Sequence, residues 1–442
     1  MNRFIQLITF NLINSGILSP ILRVQVLIFR PIELFIFSRK WRGTNFFQLL
    51  PNYLLKLKSH LNTQTLSPLN ESTVYWGKIA PVIPSEIYPS PIDLKTLPVE
   101  DFLNHSGQFP ILDVRSPSEF SHAQIPGAIS FPLFTDEERK LVGTAYKQES
   151  REKAIKIGLD FFGPKMRHWI EWAEEIGKKN ASNTFLIHCW RGGMRSQSMA
   201  WLLGLYGFEV YLLEGGYKAY RNWILKNFEK EWPLLVLGGY TGSGKTAILL
   251  VLKMKGETVI DLEALASHRG SSFGHLGLSH QPSVEMFENL LAMQLWNSEK
   301  SKAKFIWLEA ESQRIGNVNM PNSFFEQVKK SPIAILEVPF EERLNSILSQ
   351  YGQFEKEDLI QAVLRIQKRL GGLETKNCIN LLLENQLREA FSILLRYYDR
   401  WYEKSMSQKP LGIFRLNATS ADANQNADLI LNWKKSWEIQ NA

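Results

Sequence analysis

The sequence predicts an α/β protein with two domains, each built on a parallel sheet, and a helical C-terminal part. Short apolar runs, which indicate buried strands, alternate with longer stretches of helical pattern. Two of these runs, Thr184–Cys189 and Leu234–Leu237, pass directly into a glycine-bearing loop and then into a helix. From residue 356 to residue 402 the spacing of apolar residues is helical.

Length and composition restrict the class of protein. A chain of 442 residues exceeds one ordinary domain, and 44% hydrophobic with 21% charged residues is a globular composition. The mean hydropathy of -0.17 excludes a polytopic membrane protein. Two cysteines, Cys189 and Cys378, are too few for a disulfide scaffold or a four-cysteine zinc site. We therefore expect a reducing, cytoplasmic setting, in which a cysteine in special surroundings performs chemistry.

The first 95 residues form an extension of different character. They carry ten Lys and Arg against four Asp and Glu, which leaves 41 against 40 in the rest of the chain, out of a net charge of +7. The uncharged residues 4–22 are interrupted by Asn, Gly and Pro, so we expect no stable membrane insertion. We interpret the extension as dispensable or as a wrongly assigned start, with membrane-surface attachment as the alternative. Any polyanion must bind a local patch of the near-neutral remainder.

The first domain places a cysteine at the carboxyl end of a buried strand. Phe109–Arg115, Thr184–Cys189 and Phe208–Leu213 predict strands, with helices over 151–175 and 195–206 between them. Alternation of this kind predicts a parallel sheet. The cysteine therefore lies at the sheet edge where loops and helices begin.

The loop after Cys189 has the composition of an anion cradle. Gly192 and Gly193 permit a turn that directs backbone N–H groups toward the sulfur, and the following helix N-terminus adds partial positive charge. Arg191 and Arg195 add full charge. Such surroundings stabilise a thiolate or a persulfide as a nucleophile. The alternative is a cysteine that serves only as a small buried hydrophobe, against which the two arginines and two glycines argue.

Four segments, in this order, resemble a rhodanese domain. They are Asp113–Phe120 (DVRSPSEF), Ile125–Ile129 (IPGAI), the cysteine loop and Leu213–Tyr217 (LEGGY). Rhodaneses carry sulfur as a cysteine persulfide, so the resemblance implies a rhodanese-like parallel sheet. The five residues between Cys189 and Arg195, one more than in a common rhodanese loop, also satisfy the pattern of protein tyrosine phosphatases. A tyrosine-phosphatase-like enzyme is therefore the first alternative.

A phosphate-binding loop opens the second domain. The strand Leu234–Leu237 is followed by Gly239–Thr246 (GYTGSGKT), which satisfies the pattern G-x-x-x-x-G-K-[ST], and then by an apolar helix. Backbone N–H groups of such a loop wrap a phosphate, Lys245 reaches across it, and Thr246 can hold Mg²⁺. The predicted phosphate-binding residues are Gly239, Gly242, Ser243, Gly244, Lys245 and Thr246. The motif indicates phosphate binding in a P-loop NTPase-like domain and leaves the ligand open.

Two further features accompany the phosphate loop. If Mg²⁺ is used, Asp261 at the end of one predicted strand and Glu309 after another are equal candidates for its acidic ligand. The glycine-rich segment Ser267–Gly277 predicts a loop that closes over a ligand, or else a plain surface connection. The candidate ligand-contacting residues of this segment are His268, Arg269, Ser271 and His275.

The helical C-terminal part carries scattered basic residues. Solvated helix faces explain them, and a patch for nucleic-acid phosphates is the alternative. These residues are Arg365, Lys368, Arg369, Arg388, Arg396 and Arg400. We expect Cys378, which lacks a polar loop of its own, to be structural.

The pairing of the two domains resembles the tRNA 2-selenouridine synthase family over residues 97–440. Further matching stretches are Val142–Lys147 (VGTAYK), Glu214–Arg221 (EGGYKAYR) and Ser267–Gly277. The resemblance leaves out the extension. The predicted domains are residues 1–95 (extension), 96–228 (rhodanese-like), 229–355 (P-loop) and 356–442 (helical, packing on the P-loop domain).

This resemblance implies a transferase that converts wobble 2-thiouridine of certain tRNAs to 2-selenouridine, with selenophosphate as selenium donor. It also implies geranyl diphosphate as a co-substrate, because related enzymes place a geranyl group on the sulfur and so make it a good leaving group. Cys189 would then accept selenium or stabilise it at the reacting carbon, while Arg191 and Arg195 hold the anion. Gly239–Thr246 would seat the diphosphate.

The expected partners are tRNA that contains 2-thiouridine and an enzyme that supplies selenophosphate. Two other classes stay open. One is a rhodanese-type sulfurtransferase with a nucleotide-binding regulatory module. The other is a tyrosine-phosphatase-like enzyme fused to a small-molecule kinase.

Overall fold

The computed structural model describes residues 94–406 and 412–441. Nearly all of the N-terminal extension lies outside the described residues, so its interpretation stays a prediction. Within the described ranges, none of the helices is both long and apolar enough to cross a membrane.

The first domain is a parallel sheet of five strands in the order β1-β5-β4-β2-β3. The strands are β1 (Lys95–Leu97), β2 (Ile111–Asp113), β3 (Ile129–Ser130), β4 (Thr184–His188) and β5 (Glu209–Leu213). The helices are α1 (Val99–His105), α2 (Pro117–His122), α3 (Asp136–Gln148), α4 (Arg151–Asn180), α5 (Met194–Tyr206) and α6 (Gly216–Asn227). Strand β4 is central and all of its residues are buried, as its apolar sequence predicts.

The second domain is also built on five parallel strands, in the order β12-β11-β6-β8-β7. The strands are β6 (Leu234–Gly239), β7 (Thr258–Val259), β8 (Ile306–Glu309), β11 (Ile333–Glu337) and β12 (Ile413–Asn417), with a separate hairpin of β9 (Arg314–Ile315) and β10 (Val318–Asn319). The helices are α7 (Lys245–Met254), α8 (Leu262–Ala266), α9 (Val284–Lys300), α10 (Asn322–Lys330), α11 (Phe340–Tyr351), α12 (Lys356–Leu370), α13 (Gly372–Leu383), α14 (Leu387–Met406) and α15 (Ala423–Asn441). These two sheets confirm the predicted α/β fold class.

The C-terminal part is helical as predicted, but it also contributes a strand. Helices α12, α13 and α14 pack on one another, and they share an apolar core with α11 and with Phe273 and Leu276 of the glycine-rich segment. Strand β12 then joins the sheet beside β11, with Ile413 opposite Ile333 and Asn417 opposite Glu337. A five-residue strand at a sheet edge has too short an apolar run to be separated from a loop by periodicity.

Helices α6 and α9 join the two domains. The Tyr217 hydroxyl donates to Glu285 Oε1 at 2.8 Å and accepts from Asn289 Nδ2 at 2.8 Å. Arg221 forms an ion pair with Glu288 across the same seam. One hydrophobic cluster continues from the first domain into the second. Both loops of interest therefore belong to one compact unit, residues 88–442.

Candidate active site

The cysteine loop rests on the segment that follows β5. Gly192 has φ +67°, and a Cβ added to Gly216 would lie 2.4 Å from the Gly192 nitrogen, so a side chain does not fit there. Tyr217 N donates to Cys189 O at 2.8 Å, and Lys218 N donates to Trp190 O at 2.9 Å. The segment that follows β5 therefore holds the cysteine loop in place through backbone hydrogen bonds and close packing.

The sulfur of Cys189 is buried and has a hydroxyl partner. Ser196 Oγ, in the first turn of α5, donates to Cys189 Sγ at 3.2 Å. Ser196 is fully buried, and its Oγ also lies 3.1 Å from Gly193 O. The sulfur therefore has a buried side-chain hydroxyl within hydrogen-bond distance, which a cysteine that only fills space does not need.

The two arginines of the loop occupy different surroundings. Arg195 Nη1 donates to Glu119 Oε2 at 2.8 Å, whereas Arg191 is exposed at the surface. Burial of Glu119 favours the neutral acid, but Arg195 and the Ser116 N–H outweigh it and hold the pKa of Glu119 below its ordinary value. The hydrogen-bond partners of Sγ within the described residues are Ser196 and Gly193. Contact of the arginines with an anion on the sulfur stays a prediction.

A buried charged layer lies behind the cysteine. Arg115 forms a paired hydrogen bond to Asp113, with Nη2 to Oδ2 at 2.6 Å, and its guanidinium stacks 3.8 Å from the Tyr217 ring centre. Burial opposes ionisation of Asp113, but neighbouring His188 and Arg115 hold the pKa of Asp113 below its ordinary value. His188 is fully buried, its Nε2 lies 3.6 Å from Asp113 Oδ2, beyond hydrogen-bond distance, and burial lowers its pKa. The DVR segment is thus structural support for the loop.

The phosphate loop runs from the end of β6 into α7. Gly242 and Gly244 have φ +81° and +78°. A Cβ on Gly242 would lie 2.7 Å from Arg343 O, so this close approach also requires glycine. Lys245 Nζ donates back to Gly239 O at 3.1 Å, across the mouth of the loop. The predicted strand, loop and helix are therefore present in order.

Helices α11 and α14 brace the phosphate loop from behind. Arg343, which is buried, donates to Thr241 O at 3.1 Å and to both carboxylate oxygens of Asp399 at 2.8 Å. Tyr402 Oη accepts from Gly239 N at 2.7 Å. Asp399 and Tyr402 of α14 thus tie the C-terminal part to the phosphate loop.

Three glutamates surround the ligand side of the phosphate loop. Glu263 Oε2 accepts from Thr246 Oγ1 at 3.1 Å, and Glu309 Oε1 accepts from Glu263 N at 2.8 Å. Glu309 is 2% exposed and its Oε2 lacks a partner. Burial raises the pKa of Glu263 and of Glu309, and burial together with Glu263 raises the pKa of Glu311 to about 8. The site therefore holds carboxyl groups that a cation or a ligand would stabilise.

Asp261 belongs to the same cluster and also caps α8. Its Oδ1 accepts from Ala264 N at 2.8 Å, and its charge adds to burial in raising the pKa of Glu263 and of Glu309. The carboxylate that contacts Thr246 is that of Glu263. Across the described residues, no group of three or more His, Cys, Asp or Glu is arranged to hold a metal ion. Mg²⁺ bound to phosphates needs only one or two carboxylates, so Thr246, Glu263 and Glu309 suit it. Use of Mg²⁺ stays a prediction.

The glycine-rich segment lies beside the glutamates. A Cβ on Gly270 would approach Glu311 Oε2 to 2.6 Å. His268 is largely buried, and its Nδ1 has no partner. Arg269 instead turns back to Leu276 O at 2.9 Å, and His275 contacts Arg365 of α12 at 2.9 Å. Ser271 lines a recess between the segment and α14. The segment is adjacent to the phosphate loop, and its contact with a ligand stays a prediction.

Comparison with known proteins decides the family. The family model of the tRNA 2-selenouridine synthase AAA domain matches residues 232–424, and that of the rhodanese-like domain matches residues 99–222. The tRNA 2-selenouridine synthase of Sulfurovum sp. (strain NBC37-1) is 34% identical, over 71% of this chain and 93% of that protein. This chain belongs to the tRNA 2-selenouridine synthase family. Two further members, from Shewanella denitrificans and Shewanella pealeana, are 36% and 33% identical over 68% of this chain and 89% of their own length.

Membership of the tRNA 2-selenouridine synthase family confirms the resemblance found in the sequence. The rhodanese match contains the cysteine loop, and the AAA match contains the phosphate loop. Several residues of the two loops were not expected from the sequence: Glu119, Ser196, Glu263, Glu311, Arg343 and Tyr402. Ser196 could have been found, because it lies in the first turn of the helix that follows the cysteine loop.

Proposed function

We propose that this protein replaces the sulfur of wobble 2-thiouridine in tRNA by selenium from selenophosphate, through an S-geranylated intermediate made from geranyl diphosphate. The name shared by its relatives supports the tRNA substrate and the 2-selenouridine product. The observation that carries the proposal is that one compact unit holds two glycine-bearing loops between a buried strand and a helix, one with a buried cysteine and one with a lysine. The protein would act in the cytoplasm, beside an enzyme that supplies selenophosphate.

The first step would belong to the phosphate loop. The sulfur of 2-thiouridine attacks C1 of the geranyl group, the C1–O bond breaks, diphosphate leaves, and the N3 proton passes to water. Loop N–H groups and Lys245 stabilise the charge that develops on the leaving diphosphate. Mg²⁺, where bound at Thr246, would neutralise the same oxygens.

A small recess of about 20 Å³ beside the phosphate loop has a mostly apolar lining of the kind that a hydrocarbon tail prefers, and it would have to widen to seat such a tail. It is lined by Thr241 of the loop, Phe273 of the glycine-rich segment, and residues of α11 and α14 that include Leu394 and Leu395. The Tyr398 hydroxyl in its wall is already paired with Ser272 Oγ at 2.8 Å. A nucleobase edge would find few free partners there, whereas an isoprenoid chain needs none.

The second step would belong to the cysteine loop. Selenium attacks C2 of the alkylated uridine, the C2–S bond breaks, and geranylthiol leaves. Alkylation is what makes this possible, because a thiolate bearing an alkyl group departs more readily than the sulfur of a thiocarbonyl. Cys189, Arg195 and the loop N–H groups would deliver the selenium as an anion.

Nucleoside analysis tests the proposal. Purified protein is incubated with 2-thiouridine tRNA and selenophosphate, with and without geranyl diphosphate, and digested nucleosides are examined by mass spectrometry. We expect a selenium isotope pattern on uridine that depends on geranyl diphosphate, and S-geranyl-2-thiouridine when selenophosphate is omitted. A matched tRNA that lacks the 2-thio group is the control. Unchanged 2-thiouridine in every reaction would contradict the proposal and favour a sulfurtransferase, which a thiosulfate assay would then test.

A further inference from the structure

An exposed basic face lies on the outer side of α12 and α14. On each helix its cations are three or four residues apart, which places them on one side of that helix. The basic face consists of Arg365, Lys368 and Arg369 of α12 with Arg396, Arg400 and Lys404 of α14, all of them exposed. Arg369 and Lys404 both lie over the ring of Trp401, so the two rows of cations belong to one surface.

The carboxylates of the same stretch of α14 contact the phosphate loop instead. Residues 365–370 and 396–404 hold six cations and two acids. Asp399 accepts from Arg343, the arginine that also donates to Thr241 O of the phosphate loop. Glu403 Oε1 accepts from the hydroxyl of Tyr240, in the same loop, at 3.3 Å. Negative charge is therefore turned toward the loop, and positive charge toward solvent.

The cations of the basic face differ from other cations of these helices in their pairing. Arg388, near the start of α14, forms an ion pair with Glu341. Within the part of the chain that the structure describes, the five cations from Arg365 to Arg400 form no ion pair with a carboxylate. Unpaired cations on one side of a surface create a local positive potential, which suits a polyanion.

Trp401 lies between the two rows of cations and is 44% exposed. Its ring centre is 5.7 Å from Arg369 Cζ and 5.4 Å from Lys404 Nζ. An exposed indole beside cations can stack on an unpaired base while the cations bind the adjacent phosphates. An acidic protein surface would match the cations only, so the combination favours RNA.

The basic face borders the phosphate loop. Arg365 contacts His275 of the glycine-rich segment at 2.9 Å. The hydroxyl of Tyr402, the residue after Trp401, accepts from Gly239 N at 2.7 Å. RNA held on this face would therefore have its neighbouring nucleotides close to the phosphate loop.

We propose that the basic face binds the anticodon arm of the tRNA substrate, with Trp401 stacked on an unpaired base and the cations on phosphates. The face holds the arm where the wobble uridine can reach the phosphate loop. Its members are positioning residues, since they act through the RNA and not on the reacting atoms. The inference rests on the proposed function for the wobble position of the reaction.

RNA binding tests Trp401 without any chemistry. Fluorescence anisotropy of a labelled anticodon stem-loop that contains 2-thiouridine measures its affinity for the full chain, with selenophosphate and geranyl diphosphate omitted. Trp401→Ala should weaken binding by about 5- to 150-fold, because stacking on a base is lost, and Trp401→Phe should retain most of the affinity. Trp201→Ala is the matched control. Trp201, in α5, is 43% exposed and has no cation over its ring among the described residues, so this variant should bind as wild type.

The salt dependence of binding tests the cations. Arg400→Gln should lower the slope of log Kd against log salt concentration by about one, because one phosphate contact is lost. Arg388→Gln is the matched control in the same helix. Since Arg388 is paired with Glu341, its loss should leave the slope unchanged.

Steady-state rates separate a positioning role from a structural one. Trp401→Ala should raise the KM for tRNA and leave kcat and the KM for geranyl diphosphate close to wild type. A displaced α14 would also raise the KM for geranyl diphosphate, because Tyr402 contacts the phosphate loop, and that result would overturn the inference.

Unchanged RNA affinity in Trp401→Ala together with an unchanged salt slope in Arg400→Gln would also overturn the inference, and would favour a protein partner for this face. Weakened RNA binding by these two variants, with 2-thiouridine left unchanged in every reaction of the wild type, would support the inference and contradict the proposed function.

Discussion

The cysteine loop and the phosphate loop share a plan and differ in their electrostatics. Each follows a strand in the interior of a parallel sheet, contains at least one glycine with positive φ, and passes into a helix. Carboxylates near the cysteine loop are paired with arginines and have lowered pKa values. Glutamates near the phosphate loop lie close together and have raised pKa values.

This difference indicates two kinds of site. At the cysteine loop, the Ser196 hydroxyl already contacts the sulfur and Arg195 is already held by Glu119, so these groups are in place before a substrate arrives. Near the phosphate loop, Ser243 Oγ and Glu309 Oε2 are buried without a hydrogen-bond partner, and a ligand or a cation could satisfy them. We expect substitutions at the two loops to impair different steps.

The largest expected effect is on selenium incorporation, and it distinguishes Cys189 from Cys378. Cys189→Ser should lower selenium incorporation by at least about a thousandfold, because the nucleophile is lost, while S-geranylation continues. Cys378→Ser is the control, since burial raises the pKa of Cys378 to about 12 and keeps that thiol protonated. Quantitative nucleoside mass spectrometry measures both products. Normal selenation by Cys189→Ser would remove the role given to the cysteine loop.

A substitution in the phosphate loop should have the opposite effect and impair S-geranylation. Lys245→Ala should slow S-geranylation by about a hundredfold or more, because the leaving diphosphate loses its cation. Lys253→Ala, near the far end of the same helix, is the matched control. Initial rates of S-geranyl-2-thiouridine formation measure the effect. Equal rates for the two variants would mean that the phosphate loop does not serve this step.

Sequence alone predicted both loops well, because each depends on local chemistry. Glycine positions, a strand before the loop and a helix after it all lie within about fifteen residues. Ser196 and Lys245 belong to the same local segments as the loops they serve. Residues that act across the fold were not predicted: Glu119 reaches Arg195 across 76 positions, and Tyr402 reaches Gly239 across 163. Only the sheet order and helix packing bring such residues together.

The surroundings of Asp261 show the same limit. A strand followed by an acid predicted a carboxylate at this sheet edge, where one oxygen of Asp261 caps α8. Glu263, two positions later, contacts Thr246 and was not predicted, because the spacing alone does not distinguish it from other glutamates near a helix start. Metal binding by Asp261 stays a prediction.

A smaller effect would show whether the recess beside the phosphate loop selects chain length. Leu395→Phe places a larger side chain in the wall of the recess and leaves less space for a hydrocarbon tail. The preference for geranyl over dimethylallyl diphosphate should therefore fall by about tenfold. Leu359→Phe, which enlarges a side chain in the same helical core away from the recess, is the control. Competition between the two diphosphates measures the ratio. An unchanged ratio in Leu395→Phe would exclude the recess as the tail site.

The smallest expected effect is a pH dependence. Glu311 is neutral below its pKa of about 8 and charged above it, so a rise of pH through that value adds repulsion beside a bound diphosphate. Geranyl diphosphate affinity of the wild type should fall by up to about tenfold between pH 7 and pH 9. The affinity of Glu311→Gln for geranyl diphosphate should change little over the same pH range. Calorimetry at several pH values measures both affinities. The same dependence of affinity on pH in the wild type and in Glu311→Gln would contradict the contribution of Glu311.

The most direct test of the division of labour uses RNA that already carries the geranyl group. S-geranyl-2-thiouridine tRNA, made beforehand with the Cys189→Ser enzyme, is purified and given to Lys245→Ala with selenophosphate and no geranyl diphosphate. The account predicts selenation at close to the wild-type rate, because the phosphate loop is no longer needed. Failure of Lys245→Ala to selenate this RNA would contradict the assignment of the two steps to two loops.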